Sequence, residues 1–97
     1  MFASTLEHAV NEQIIDMIEK HTPLEDIFRK AKDEMPHLSL LYIRQLFVSA
    51  IVDIVRRKGI VLPEGLEIQG GRIYSGGEEI VLSQYYDLVD PERRRHQ

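Results

Sequence analysis

Apolar residues recur along the first half of the chain at helical spacing. Leu6, Val10, Ile14, Met17 and Ile18 lie four, four, three and one apart, which is one stripe of an amphipathic helix. Ser4 with Glu7 three residues on forms a candidate capping box, so a first helix is expected over about residues 4–20. Thr22, Pro23 and Glu25 give a second start signal: an N-cap, a proline at the first helical position and a Thr-x-x-Glu box. Leu24, Ile27, Phe28 and Ala31 supply its apolar face, and Pro36 disfavours helix at Met35, which places the second helix at about 23–34. Ser39 is the next candidate N-cap. The third helix is expected over about 40–58, with Arg56, Arg57 and Lys58 in its last turn and Gly59 as its stop.

After Gly59 the period changes. Ile60-Val61-Leu62 is a short β-type run, Leu66 to Gln69 alternates apolar with polar, and Gly70-Gly71 is a two-residue hairpin turn signal. Arg72-Ile73-Tyr74 returns, Ser75-Gly76-Gly77 turns again, and Glu78 to Leu82 reads as a further strand. A meander over about 60–82 is expected, with Glu78-Glu79 as a charge pair that guards its edge. The tail, 83–97, is expected to be partly flexible: Asp90-Pro91-Glu92 is a weak helix start and Arg93 to Gln97 a frayed end. The fold class is therefore α+β, one domain over 1–97, with a three-helix half followed by a small antiparallel hairpin or meander.

The third helix is the most informative element. With Leu40 at zero and 100° per residue, its positions are apolar from about 240° round to about 120°, apart from Arg44, Arg57 and Lys58. That is about twice the ~100° stripe of an ordinary surface helix. Two coverings fit: a central core helix of a compact monomer, or a flank left for a partner. Leu40, Arg44, Val48, Ile51 and Val55 are the candidate interface residues on that second view, since small domains complete their cores by association. Arg44, inside the arc, either reaches water or a carboxylate, or contacts the partner. The polar arc carries Tyr42, Gln45, Ser49, Asp53 and Arg56.

Composition removes whole classes of function. Cysteine is absent, which excludes disulfide scaffolds, thiolate metal sites and a Cys nucleophile. His8 and Glu12 are four apart, but two residues do not make a metal site, and His21 and His37 merely flank the second helix. The glycine pairs lack the strand–loop–helix context of a phosphate loop. No enzyme and no cofactor are expected. No signal peptide or spanning segment is read, so a cytoplasmic protein without a membrane partner is expected. Net charge is −4, yet it is uneven. Residues 1–26 hold six acids against one base, 27–58 three acids against seven bases, and 59–97 seven acids against four bases. The middle segment is thus locally basic.

Leu24-Glu25-Asp26-Ile27-Phe28, the Pro36-His37-Leu38-Ser39 turn, the helix from Leu40 and the exit Arg57-Lys58-Gly59-Ile60-Val61 resemble the winged helix-turn-helix superfamily. The Pro-x-x-Ser turn is similar to that of its ferric-uptake-regulator-like branch, although that branch's metal ligands are not matched. The resemblance covers about two fifths of the chain and implies a winged-helix shape in which the third helix reads duplex DNA. Tyr42, Gln45, Ser49, Arg56, Arg57 and Lys58, with Arg72 on the wing, are the candidate contacts, where Gln, Ser and Arg are acceptable base-edge or phosphate donors. The first expectation is a DNA-binding, homodimeric regulatory domain. The alternative is a protein-interaction module that docks a partner on the third or the acidic first helix.

Overall fold

A computed structural model describes residues 2–90, with side chains from His8 onward. The elements follow in the order α1 (Phe2–Glu19), α2 (Leu24–Glu34), α3 (Leu40–Lys58), β1 (Leu66–Gln69), β2 (Arg72–Ser75), β3 (Glu78–Glu79) and α4 (Leu82–Val89). The class is α+β. The three strands form one antiparallel sheet in the order β1-β2-β3, with Leu66 opposite Ser75, Ile68 opposite Ile73 and Tyr74 opposite Glu79. Gly70 and Gly71 both take positive φ, 56° and 77°, as the tight turn between twisted strands requires. No helix among the described residues is long and apolar enough to cross a membrane.

Helix α3 is central. Its N-cap is Ser39, whose Oγ accepts from the Tyr42 amide at 3.1 Å. At its other end Gly59 is left-handed, with its N–H on the Arg56 carbonyl and the next N–H, Ile60, on Val55. These two bonds are a Schellman motif. Eight α3 residues from Ile43 to Val55 are buried, on both flanks of the apolar arc. Helices α1, α2 and α4 and strand β2 all pack against them. Phe47 sits at the middle, 5.6 Å from the Phe28 ring and 6.0 Å, edge-on, from Tyr86.

The differences from the sequence pattern have local causes. Thr22 does not cap α2: its N–H closes a second Schellman motif on the Met17 carbonyl, and its own carbonyl accepts from the Tyr86 hydroxyl. Helix α2 starts at Leu24 with no side-chain cap. Ile60-Val61-Leu62 is not a strand, because the Ile60 amide is spent on terminating α3. The strand expected over Glu78–Leu82 stops at Glu79. Ile80 still donates to the Ile73 carbonyl, but Val81 turns into α4, its amide held by Gln84 Oε1 at 3.1 Å. Leu82, read as the end of that strand, and residues 83–89, read as tail, form this helix, which buries Tyr85, Tyr86 and Leu88 against the core. Helix α1 begins at Phe2 rather than near Ser4; the side chains of the Ser4–Glu7 box lie outside the described ones, as does everything from residue 91 on, including the expected helix start and frayed end.

Candidate functional site

Two polar regions flank α3, and between them they hold every residue singled out as a candidate nucleic-acid contact except Lys58. The first is the open face. Ser49 and Arg56 are exposed, Tyr42, Gln45 and Asp53 half-buried. Ser49, Val52, Asp53 and Arg56 line a shallow cleft of about 160 Å³ whose far wall is Gly71, in the β1–β2 turn. A helix face and a hairpin tip thus lie side by side. Arg57, one residue on, donates its Nε–H to Asp53 Oδ2 at 3.1 Å. That hydrogen bond, reinforced by the Asp53 charge, raises the guanidinium pKa above its ordinary value. Lys58 faces α1 and lies 3.6 Å from Glu19.

The second region lies near the start of α3 and was not anticipated. Glu79 is at its centre. Its carboxylate lies 3.5 Å from Arg44 and 3.7 Å from Arg72, and it accepts the Tyr85 hydroxyl proton at 2.8 Å. The same Tyr85 oxygen accepts from the Ile73 amide at 2.9 Å. Burial is the main reason that the Tyr85 phenol is pushed up to about 12; the Ile73 amide opposes it and the Glu79 carboxylate adds to it. Glu79 is therefore a half-buried hub and not an edge guard; only Glu78 stands exposed on β3. Arg44 resolves as an arginine paired with a carboxylate. The one clue in the sequence was Arg44 itself, since a cation inside an apolar arc needs an acid that is distant along the chain.

The other candidates are dispersed. Arg72 belongs to the Glu79 hub and not to the cleft. Of the candidate interface residues, Val48, Ile51 and Val55 are buried within the chain itself, because α4 and the sheet fill the flank left open in the helical pattern. Only Leu40 stands out in solvent, at 61% exposure, beside Leu41 at 70%. The Arg29-Lys30-Lys32 run of α2 does not join the basic end of α3. Arg29 pairs with Asp26 at 3.1 Å, and Lys32 Nζ donates to the Pro36 and Leu38 carbonyls, next to the start of α3. The nineteen residues of α3 put its two ends about 28 Å apart.

No family model, curated protein or solved structure matches the chain. The chemistry must be read from the side chains. Among the described residues no group of three or more His, Asp or Glu gathers at metal-binding distance. His8 and Glu12 approach to 3.7 Å as an exposed pair, and His21 lies 3.6 Å from Asp90. His21 also borders a second small pocket, of about 120 Å³, with Ile18, Glu19, Ile54, Lys58 and Val89. Every buried side-chain nitrogen and oxygen among the described residues is hydrogen-bonded. The surface around α3 offers charge, amides and hydroxyls.

Proposed function

We propose that the chain is a binding module rather than an enzyme, and that its partner is a protein. The observation that carries this is electrostatic. Two of the three cations at the end of α3 have acids beside them: Asp53 on Arg57, with Glu12 close enough to act on it as well, and Glu19 on Lys58. The positive charge of the middle segment is thus partly offset at this end, because α1 lays Glu12 and Glu19 alongside. A phosphate backbone draws much of its binding energy from an uncompensated positive field, and at this end only Arg56 is left without an acid beside it among the described residues. Apolar surface is available instead: Leu40 and Leu41 stand exposed in the first turn of α3. Partner helices and loops commonly dock on such residues.

The experiment places a photo-crosslinking amino acid at Leu41 in one variant and at Ser49 in another, and analyses the adducts formed in cells. A protease-sensitive adduct at Leu41 and none at Ser49 is the expected result. A nuclease-sensitive adduct at Ser49 overturns it.

The second reading is the homodimeric DNA-binding domain of winged-helix shape. It is favoured by the cleft, where the open face of α3 lies beside the β1–β2 turn and Arg56 has no carboxylate partner among the described residues. Titration against generic duplex DNA over a salt series tests it directly. Binding that falls steeply with salt and is weakened by Arg56→Ala establishes it; no binding at low salt removes it.

A further inference from the structure

Strand β1 has an open side. The sheet order is β1-β2-β3, so no described strand lies beyond β1. The direction of its backbone groups follows from its neighbour. Ile73 sends its N–H to the Tyr85 hydroxyl and its C=O to the Ile80 amide, both away from β1. Ile68 is opposite Ile73. Theirs is therefore the non-hydrogen-bonded kind of pair, and Ile68 must aim its own N–H and C=O at the open side. Leu66-Glu67-Ile68-Gln69 has no proline, no lysine and no bulge; its protections are its shortness, the charge of Glu67 and the Leu66 amide, which donates to the Pro63 carbonyl, so the Ile68 groups are the ones free to pair.

We propose that this edge pairs with the same edge of a second copy of the chain, antiparallel, with Ile68 opposite Ile68 of the partner subunit at the dyad. The side chains select that register. A two-fold antiparallel pair must keep each residue opposite one on the same face, so registers move in steps of two. Centring on Glu67 sets two carboxylates directly opposite, which is destabilising. Centring on Ile68 joins two half-buried apolar side chains on the core-facing side. On the solvent side it places Glu67 of each copy opposite Gln69 of the other. That pairing is chemically apt, since Gln69 Nε2 already approaches Glu67 Oε2 within one strand at 3.3 Å. The product is a continuous six-stranded sheet. It leaves α3 uninvolved and does not rest on the protein-partner reading above. With four residues a side, it buries far less than the ~1,200–2,000 Å² of a stable interface, so a weak, concentration-dependent dimer is expected.

The test combines sedimentation equilibrium on the full chain, from micromolar to millimolar, with amide hydrogen exchange. The mass should rise from 11.3 kDa towards twice that value. Exchange at the Ile68 amide should slow with concentration while that at Ile73 stays constant. Gln69→Glu places like charges across the dyad twice and should weaken the dimer about fivefold; Gln69→Lys should tighten it by a similar factor. Ile68→Pro removes the outward N–H and should abolish pairing; proline is tolerated on an edge strand where the N–H faces solvent. A mass that stays at 11.3 kDa with Ile68 exchange independent of concentration overturns the proposal. So does a dimer that ignores both Gln69 variants and responds to Leu40→Ser instead.

Discussion

The two ends of α3 use the same pairing of arginine or lysine with carboxylate, and they obtain different things from it. Near the start, Arg44 and Glu79 are 27% and 20% exposed at the side chain, and Tyr85 and Arg72 join them. Partial burial makes each of these groups costly to leave alone, so the hub specifies where β3 and α4 sit on α3. At the far end, Lys58 and Glu19 are 58% and 50% exposed. Water competes there for every contact, and the pair mainly cancels a field. Burial, rather than the identity of the charges, separates a charge that organises the fold from one that only neutralises its surroundings.

Phe47 lies between the two ends and sets the scale for both. Phe47→Ala removes a fully buried ring that touches Phe28 and Tyr86, and it should cost about 3–5 kcal/mol in urea denaturation. Glu79→Gln comes next, at about 2–3 kcal/mol, because it leaves Arg44 and Arg72 without their counter-charge in a half-buried site. A loss no larger than that of an exposed pair would erase the contrast between the ends.

Tyr85 sharpens the comparison through pH. The free phenol titrates at 10.0 and the folded one at about 12. Between those values the unfolded chain has released its proton and the folded chain still holds it, so rising pH favours unfolding. The contribution is fully present below the unfolded value and is lost towards about 12, on the order of 2 kcal/mol in all. Tyr85→Phe lacks this slope. The stability gap between the two proteins, measured at about pH 9 and again at about pH 11, should therefore narrow; a constant gap would show that the phenol is not held neutral by its surroundings.

What was legible in the sequence tracks how local the cause is. Helix α3 was readable from end to end, because Ser39, the apolar periodicity and Gly59 act within a turn of where they stand. The Gly70-Gly71 turn was readable for the same reason. Helix α4 was missed: Val81 offers no capping oxygen, and the helix is held by contacts with sequence-distant groups, Tyr86 on Thr22 and Tyr85 on Ile73. The Glu79 hub was invisible for the same reason, as it joins α3, β2, β3 and α4. Charge summed along segments does not show that α1 and α3, far apart in the chain, bring Glu19 to Lys58.

The terminus of α3 provides a smaller effect of local origin. Gly59 sits at φ +61°, and a Cβ there would meet nothing within 4 Å. Gly59→Ala therefore suffers only left-handed backbone strain, about 1 kcal/mol, and should leave the hub intact. The equivalent position closing α1 is His21, at φ +60°. His21→Gly should gain stability by relieving the same strain, less whatever its contact with Asp90 contributes. Thermal denaturation of the two variants, side by side, reads both signs.

The smallest effect belongs to the exposed end. Lys58→Ala should change stability by less than ~0.5 kcal/mol, and a double-mutant cycle with Glu19→Ala should return a coupling that fades with added salt. Its value lies in what it does to the field. Removing Lys58 leaves the end of α3 net negative, while Glu19→Gln with Glu12→Gln leaves it net positive. If the neutral balance is what keeps nucleic acid away, only the second change should create salt-sensitive retention on a heparin or duplex-DNA column, with the fold unaltered by circular dichroism. Retention of the unmodified chain would mean instead that Arg56 and the cleft beside Gly71 already suffice, and it would favour the DNA-binding reading over the protein one.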